Sequence, residues 1–230
     1  MILLLLLAAA PARAAAPAPD APAAAVVRSK EWVVRRGKRP EEEFKGDVRY
    51  DAAGTHLSAD WALHRRARRD WKARGRVVLR RVLADGTVVE ADGETARYDE
   101  RTRAGSLLPA PGGLVRLTRT PPAGEPDRGE GARLDWSGQD EATLSGAARV
   151  WGPRLALWAD TARFERDGSR LTLDGGRPVL EKVEGEWTTA LKADRVVATE
   201  SPRRIEARGD VRGWLIFKDQ ARRLKELEKK

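Results

Sequence analysis

FKGDVRYDAAGTHLSADWAL, residues Phe44 to Leu63, holds a layout that the chain returns to several times. Gly46 interrupts an alternating apolar run that continues through Val48 and Tyr50. About fourteen residues later a small-plus-acidic pair, Ala59-Asp60, lies in a second alternating run with Leu57 and Trp61. Alternation of this kind puts one set of side chains on one face of a strand. The glycine recurs in similar settings at Gly75, Gly146 and Gly209, and the Ala-Asp pair at Ala91-Asp92, Ala159-Asp160 and Ala193-Asp194. The spacing is regular: 32 residues separate Asp60 from Asp92, 34 separate Asp160 from Asp194, and 68, two units, lie between Asp92 and Asp160. A degraded unit fills that gap, where Gly131-Ala132-Arg133-Leu134-Asp135 echoes Thr95-Ala96-Arg97-Tyr98-Asp99 and Thr161-Ala162-Arg163-Phe164-Glu165. A fixed period in the low thirties signals stacked supersecondary units. Here each unit holds two short strands rather than a helix pair.

The runs between these landmarks fit the same plan. Trp32-Val33-Val34 is a short apolar strand ended by Pro40, and Asp51 to Gly54 supplies turn residues inside the first unit. Asp85-Gly86 between alternating runs predicts a hairpin. Pro/Gly-rich stretches at 106–113 and 120–131 bracket Leu114-Val115-Arg116-Leu117 and predict loops inserted in the degraded unit. One face of each strand is apolar and many of its members are small, among them Ala59, Ala73, Ala91, Ala159 and Ala193. The pattern predicts an all-β fold in which two sheet halves lean together around an apolar interior, with the small residues either interdigitating or leaving room for a ligand. Residues expected to face that groove are Val48, Tyr50, Leu57, Val77, Leu79, Val89, Leu144, Val150, Leu155, Leu157, Leu171, Leu173, Leu191, Ile205 and Val211; a register slip of one would turn any of them outward. Plain core packing is the alternative role for each.

The chain has 230 residues, 41% of them hydrophobic, which allows one sizeable or elongated core. Its net charge of +9 directs attention to anionic partners: nucleic acid, a membrane surface or a phosphorylated glycolipid. There is no cysteine, so there is neither a disulfide framework nor a thiolate metal site. Residues 1–25 read as a signal peptide followed by a disordered Ala/Pro leader, with an apolar stretch from Ile2 to Ala10 too short to cross a bilayer and an Ala12-Arg13-Ala14 cleavage box. Residues 26–217 read as one domain. Residues 218–230, basic and free of Gly and Pro, read as a helical tail.

The repeated phrases, Gly46-Asp47-Val48, Leu57-Ser58-Ala59-Asp60 and Gly209-Asp210-Val211 among them, resemble the OstA-like repeat of the periplasmic lipopolysaccharide-transport proteins, the LptA and LptC group. The likeness runs from Trp32 to Trp214. It implies a folded-over, taco-like β-jellyroll built from tandem two-strand repeats, whose groove takes the acyl chains of lipid A. It also implies end-to-end stacking, with other Lpt-type jellyrolls or with copies of itself, into a bridge between the inner and outer membranes of a Gram-negative envelope. Membrane contact would come through those partners. The degraded third unit, the eight tryptophans and the basic tail depart from the pattern. They leave open whether this is a bridge subunit, a membrane-proximal LptC-like subunit, or a structural β-repeat protein of the envelope without lipid cargo.

Catalysis has little support. The two histidines, His56 and His64, come with no cysteine, no nucleophile elbow and no phosphate-cradling glycine loop. No cofactor or metal is expected. Basic grooves with stacking aromatics bind single-stranded nucleic acid, but the tryptophans here are spread through the repeats with no aromatic-basic motif, and an exported protein meets little nucleic acid. The resulting expectation is a non-catalytic, periplasmic lipid-binding protein.

Overall fold

The computed structural model describes residues 25–217, apart from 39, 53, 139–140, 166–169 and 201–202. The expected leader, save Ala25, and the expected helical tail at 218–230 lie outside the described residues. Among the described residues there are eighteen β-strands and no helix, all in one antiparallel sheet. They make twelve rungs. β1 (Val26–Arg28) and β2 (Glu31–Arg35) share the first, and β3 (Glu41–Ala52), β4 (Thr55–Arg65), β5 (Asp70–Val82) and β6 (Val88–Asp99) each make one. β7 (Ala104–Leu108) and β8 (Val115–Thr120) share the sixth rung, β9 (Asp127–Gly131) and β10 (Arg133–Ser137) the seventh. β11 (Glu141–Trp151) and β12 (Leu155–Glu165) are whole again. The last three rungs are β13 (Arg170–Asp174) with β14 (Val179–Glu184), β15 (Trp187–Lys192) with β16 (Arg195–Glu200), and β17 (Arg203–Arg208) with β18 (Arg212–Phe217).

Each rung contributes to two walls. In β3, residues 41–45 pair with 65–61 of β4 in the first wall, while 48–52 pair with 59–55 in the second. Where a rung is two strands, one goes to each wall: β7 and β10 pair in the first, β8 and β9 in the second. Buried residues from both walls form one hydrophobic cluster, so the walls face each other across a common interior. This arrangement is compatible with a folded-over jellyroll.

Side-chain alternation and register together make continuous inward ladders. In the first wall one ladder passes through every rung, from Trp32 through Phe44, Ala62, Ala73, Ala96, Leu107, Leu134, Leu144, Ala162, Leu173 and Val196 to Ala207. A second lies two residues nearer the lip and is richer in aromatics, with His64, Trp71, Tyr98, Trp136 and Phe164. The second wall answers with Val27, Tyr50, Leu57, Leu79, Ala91, Leu117, Gly129, Val150, Leu157, Leu180, Leu191 and Gly213.

The fold turns from wall to wall at a bulge repeated on alternate rungs. β3 puts two residues, Gly46 and Asp47, opposite the single Asp60 of β4, and β11 puts Gly146 and Ala147 opposite the single Asp160 of β12. Both bulge residues have positive φ in each pair, 71° and 50° at Gly46-Asp47 and 78° and 47° at Gly75-Arg76. Glycine takes the first place because a side chain there would strike the neighbouring rung: a Cβ on Gly75 would lie 2.6 Å from Asp60 Oδ2, and one on Gly175 2.7 Å from Asp160 Oδ2. The Ala-Asp pair and the glycine are therefore two sides of one contact. This registration corrects one repeat assignment. In β6 the residue opposite the Gly75-Arg76 bulge is Glu94, since Arg74 pairs with Thr95 and Val77 with Gly93. The counterpart of Ala59-Asp60 is thus Gly93-Glu94, not Ala91-Asp92.

Several carboxylates, at corners, at hairpins and within a wall, are held below their ordinary range. For Asp60 the main cause is the Arg76 side-chain hydrogen bond, for Asp85 the backbone N–H of Thr87, for Asp99 the backbone N–H of Thr102, and for Glu43 the indole N–H of Trp61. A depressed folded pKa contributes stability that is present above the unfolded value, about 4 for a carboxylate, and lost as pH falls through the folded value. The melting temperature is therefore expected to hold from neutral pH to about pH 5 and to fall below about pH 4. A Tm unchanged down to pH 3, followed by circular dichroism, would show that these contacts add nothing.

Candidate functional site

Between the walls lies a cavity of about 640 Å³, within the size range of small-molecule sites. It runs from β1 to β12, and its lining is mainly apolar: Val48, Tyr50, Leu57, Leu79, Ala91 and Leu117 from the second wall, Trp71, Ala73, Ala96, Trp136, Ala142 and Leu144 from the first. The space has a simple origin. The deep ladder of the first wall is alanine at three successive rungs, Ala62, Ala73 and Ala96, whereas further on it carries Leu107, Leu134 and Leu144.

Of the fifteen residues expected to face a groove, six line this cavity: Val48, Tyr50, Leu57, Leu79, Val89 and Leu144. Seven others, Val77, Val150, Leu155, Leu157, Leu171, Leu173 and Leu191, belong to the core cluster or pack against it outside the cavity's lining. Leu157 and Leu173 have no exposed surface at all. Ile205 is on the inward side, opposite Ala198, but 51% exposed, in a strand that among the described residues pairs on one side only. Val211 lies between β17 and β18 and is 50% exposed, so neither is enclosed. The aromatic lip ladder was not among the expected groove residues. Its signal was in plain view as the repeated Ala-x-Tyr and Ala-x-Phe phrases, where an aromatic two residues after an inward alanine must also point inward.

The aromatic end of the cavity is ordered by stacking and hydrogen bonds. The His64 ring stacks on Trp71 with centroids 4.2 Å apart, Phe44 stacks at 6.1 Å from Trp71, and Tyr50 tilts against it at 5.7 Å. The Trp71 indole donates to Glu100 Oε1 at 2.7 Å. His64 lies between two carboxylates, with Nδ1 3.5 Å from Glu42 and Nε2 3.4 Å from Glu100. Burial pushes the Tyr50 phenol up, with Glu100 and Tyr98 adding to it, so it is a neutral group in an apolar wall. At the lip of the second wall Arg119 and Asp127 form a buried pair at 3.2 Å. Desolvation raises the Asp127 carboxyl in spite of the guanidinium.

Among the described residues no group of three His, Asp or Glu side chains could hold a metal ion. The lining is chiefly apolar, a surface suited to alkyl or aryl groups, with the His64, Glu42 and Glu100 cluster at its aromatic end. The two ends of the sheet differ from its middle. Among the described residues β1 and β2 pair only with β3, β17 only with β16 and β18 only with β15, and these strands expose Trp32, Val34, Ile205, Trp214 and Leu215. No protein-family model matches the sequence, and no curated protein matches it.

Proposed function

We propose that this chain is a non-catalytic lipid carrier of the cell envelope, built from OstA-like repeats and exported to the periplasm, which holds the acyl chains of lipopolysaccharide between its two walls. The observation that carries the reading is the apolar cavity of about 640 Å³ lying along inward ladders of the same kind of side chain. Burial of each CH₂ contributes about 0.8 kcal/mol, so a chain laid along the ladders is held by many small equivalent contacts. A bound lipid then slides from rung to rung without leaving a deep well. The exposed apolar strands at both ends, each with a ladder edge unpaired among the described residues, support end-to-end addition of another β-protein, by which carriers of this kind would form a bridge.

The reading is tested with a photoreactive side chain placed at Leu79, which lines the cavity, and at Arg154, which is exposed. Ultraviolet crosslinking in cells that make lipopolysaccharide should give a lipopolysaccharide adduct at Leu79 and none at Arg154. Equal adducts at both positions, or none at either, would count against it. Leu157 and Leu173 are unsuitable probe sites because each is sealed in the core.

A further inference from the structure

We propose that Arg81 and Arg103, on opposite lips of the cavity, clamp a phosphate group carried by the amphiphile whose chain fills it; this rests on the lipid reading above. Alternation in β5 sends Val77, Leu79 and Arg81 to the same side, and Arg81 lies opposite Thr55 and Val89, half-buried on the cavity wall. Arg103 comes from the β6–β7 hairpin of the first wall and also lines the cavity. Its backbone sits at φ 55°, and its carbonyl accepts a hydrogen bond from Gly138 N–H at 3.1 Å, which ties this hairpin to the end of β10.

The two guanidiniums stand out by what surrounds them. Val89 has Arg81 on one side and Arg119 on the other, so the second wall carries two inward arginines two strands apart. Arg119 is 3% exposed and meets Asp127. Arg81 meets no carboxylate within 4 Å among the described residues, and neither does Arg103. The acids that reach the rim are already engaged: Glu100 with Trp71, His64 and Arg69, and Glu141 with Arg163 at 2.9 Å. Lys72, Arg80 and Arg97 also border the cavity, but alternation with Trp71, Leu79 and Ala96 turns them to the outer face.

Arg103 is exposed and supplies charge from its lip, whereas the Arg81 guanidinium, drawn half out of water with no carboxylate beside it among the described residues, is held at a cost in free energy that a bound anion removes. Its planar fork matches the oxygens of phosphate in a bidentate geometry. Two such forks from opposite sides suit a phosphate monoester, with about −2 charge and three acceptor oxygens, better than a carboxylate with two. The alkyl chain would lie on Leu79 and Ala91 below.

The test compares dodecyl phosphate, dodecyl maltoside and inorganic phosphate as ligands of the purified chain by titration calorimetry, in the native protein and in Arg81→Gln and Arg103→Gln. The clamp predicts that dodecyl phosphate binds at least about tenfold tighter than the neutral maltoside, and that either substitution removes this preference while leaving the maltoside affinity unchanged. Arg103 is exposed, so its variant gives a readout even where Arg81→Gln disturbs folding. Equal affinity for the two dodecyl probes in the native protein would overturn the clamp and leave the lipid trough standing. Failure of both dodecyl probes to bind would overturn both. Saturable binding of inorganic phosphate alone, lost in both variants, would make this a free-phosphate site and overturn the lipid assignment.

Discussion

Gly75→Ala is expected to destabilise the protein by about 3 kcal/mol, whereas Gly112→Ala costs only about 1 kcal/mol. Both glycines have nearly the same left-handed backbone, φ 78° and 76°, so the conformational penalty is shared. They differ in what a new Cβ meets. At Gly112 nothing lies within 4 Å, but at Gly75 it would come within 2.6 Å of Asp60 Oδ2 and 2.7 Å of Asp60 Cβ. The Asp60 carboxylate, hydrogen-bonded to Arg76 Nη2 at 2.5 Å and Nε at 3.2 Å, is part of an exposed pair and can turn at small cost. Asp60 Cβ is fixed by its own backbone, so the two rungs must part. Urea melts of both variants, and of Gly75→Ala in an Asp60→Gly background, separate the terms: removing the Asp60 side chain should recover the larger part of the difference. Equal losses at Gly75 and Gly112 would show that the corner yields freely and that the Gly-Asp contact does not hold the rungs together.

That contact also shows how far the sequence could be read. The alternation, the corner glycines Gly46, Gly75, Gly146 and Gly209, and the two-strand unit were all legible, because period-two patterning and a left-handed backbone each leave a local mark. The assignment of Ala91-Asp92 slipped by two residues, and the echo of Ala96 by Ala132 slipped likewise: Leu134, not Ala132, occupies the ladder position of Ala96. A slip of two keeps every side chain on its proper face, so composition cannot detect it; only the pairing register does. The cavity was legible as a set of inward small residues but not as a volume. Whether Ala73 faces a leucine from the other wall or an empty space depends on how the walls lean, and that is decided by all the rungs together. Arg81 was unreadable for the opposite reason. It looks like one more charge in Arg80-Arg81, and its inward register sets it apart from Arg80.

Filling the cavity should separate a lipid carrier from a purely structural array, because stability and binding are expected to move in opposite directions. Ala73 and Ala91 line the cavity from opposite walls, and each stands in a ladder that elsewhere carries leucine, at Leu107, Leu134 and Leu144 in one and Leu57, Leu79 and Leu117 in the other. Leucine at both positions continues a pattern that the sheet already accommodates. With about 0.8 kcal/mol for each carbon removed from water, less the lost rotamer freedom and imperfect packing, Ala73→Leu/Ala91→Leu is expected to be about 2 kcal/mol more stable in urea melts. The same side chains occupy the space that an acyl chain needs, so the proposed carrier role predicts that binding of lipopolysaccharide weakens by more than about tenfold. A structural array without cargo predicts the gain in stability and no functional deficit in cells. A loss of 1–3 kcal/mol, the usual result of overpacking, would mean that the walls are already in contact at these rungs, and the carrier reading would lose the space on which it depends.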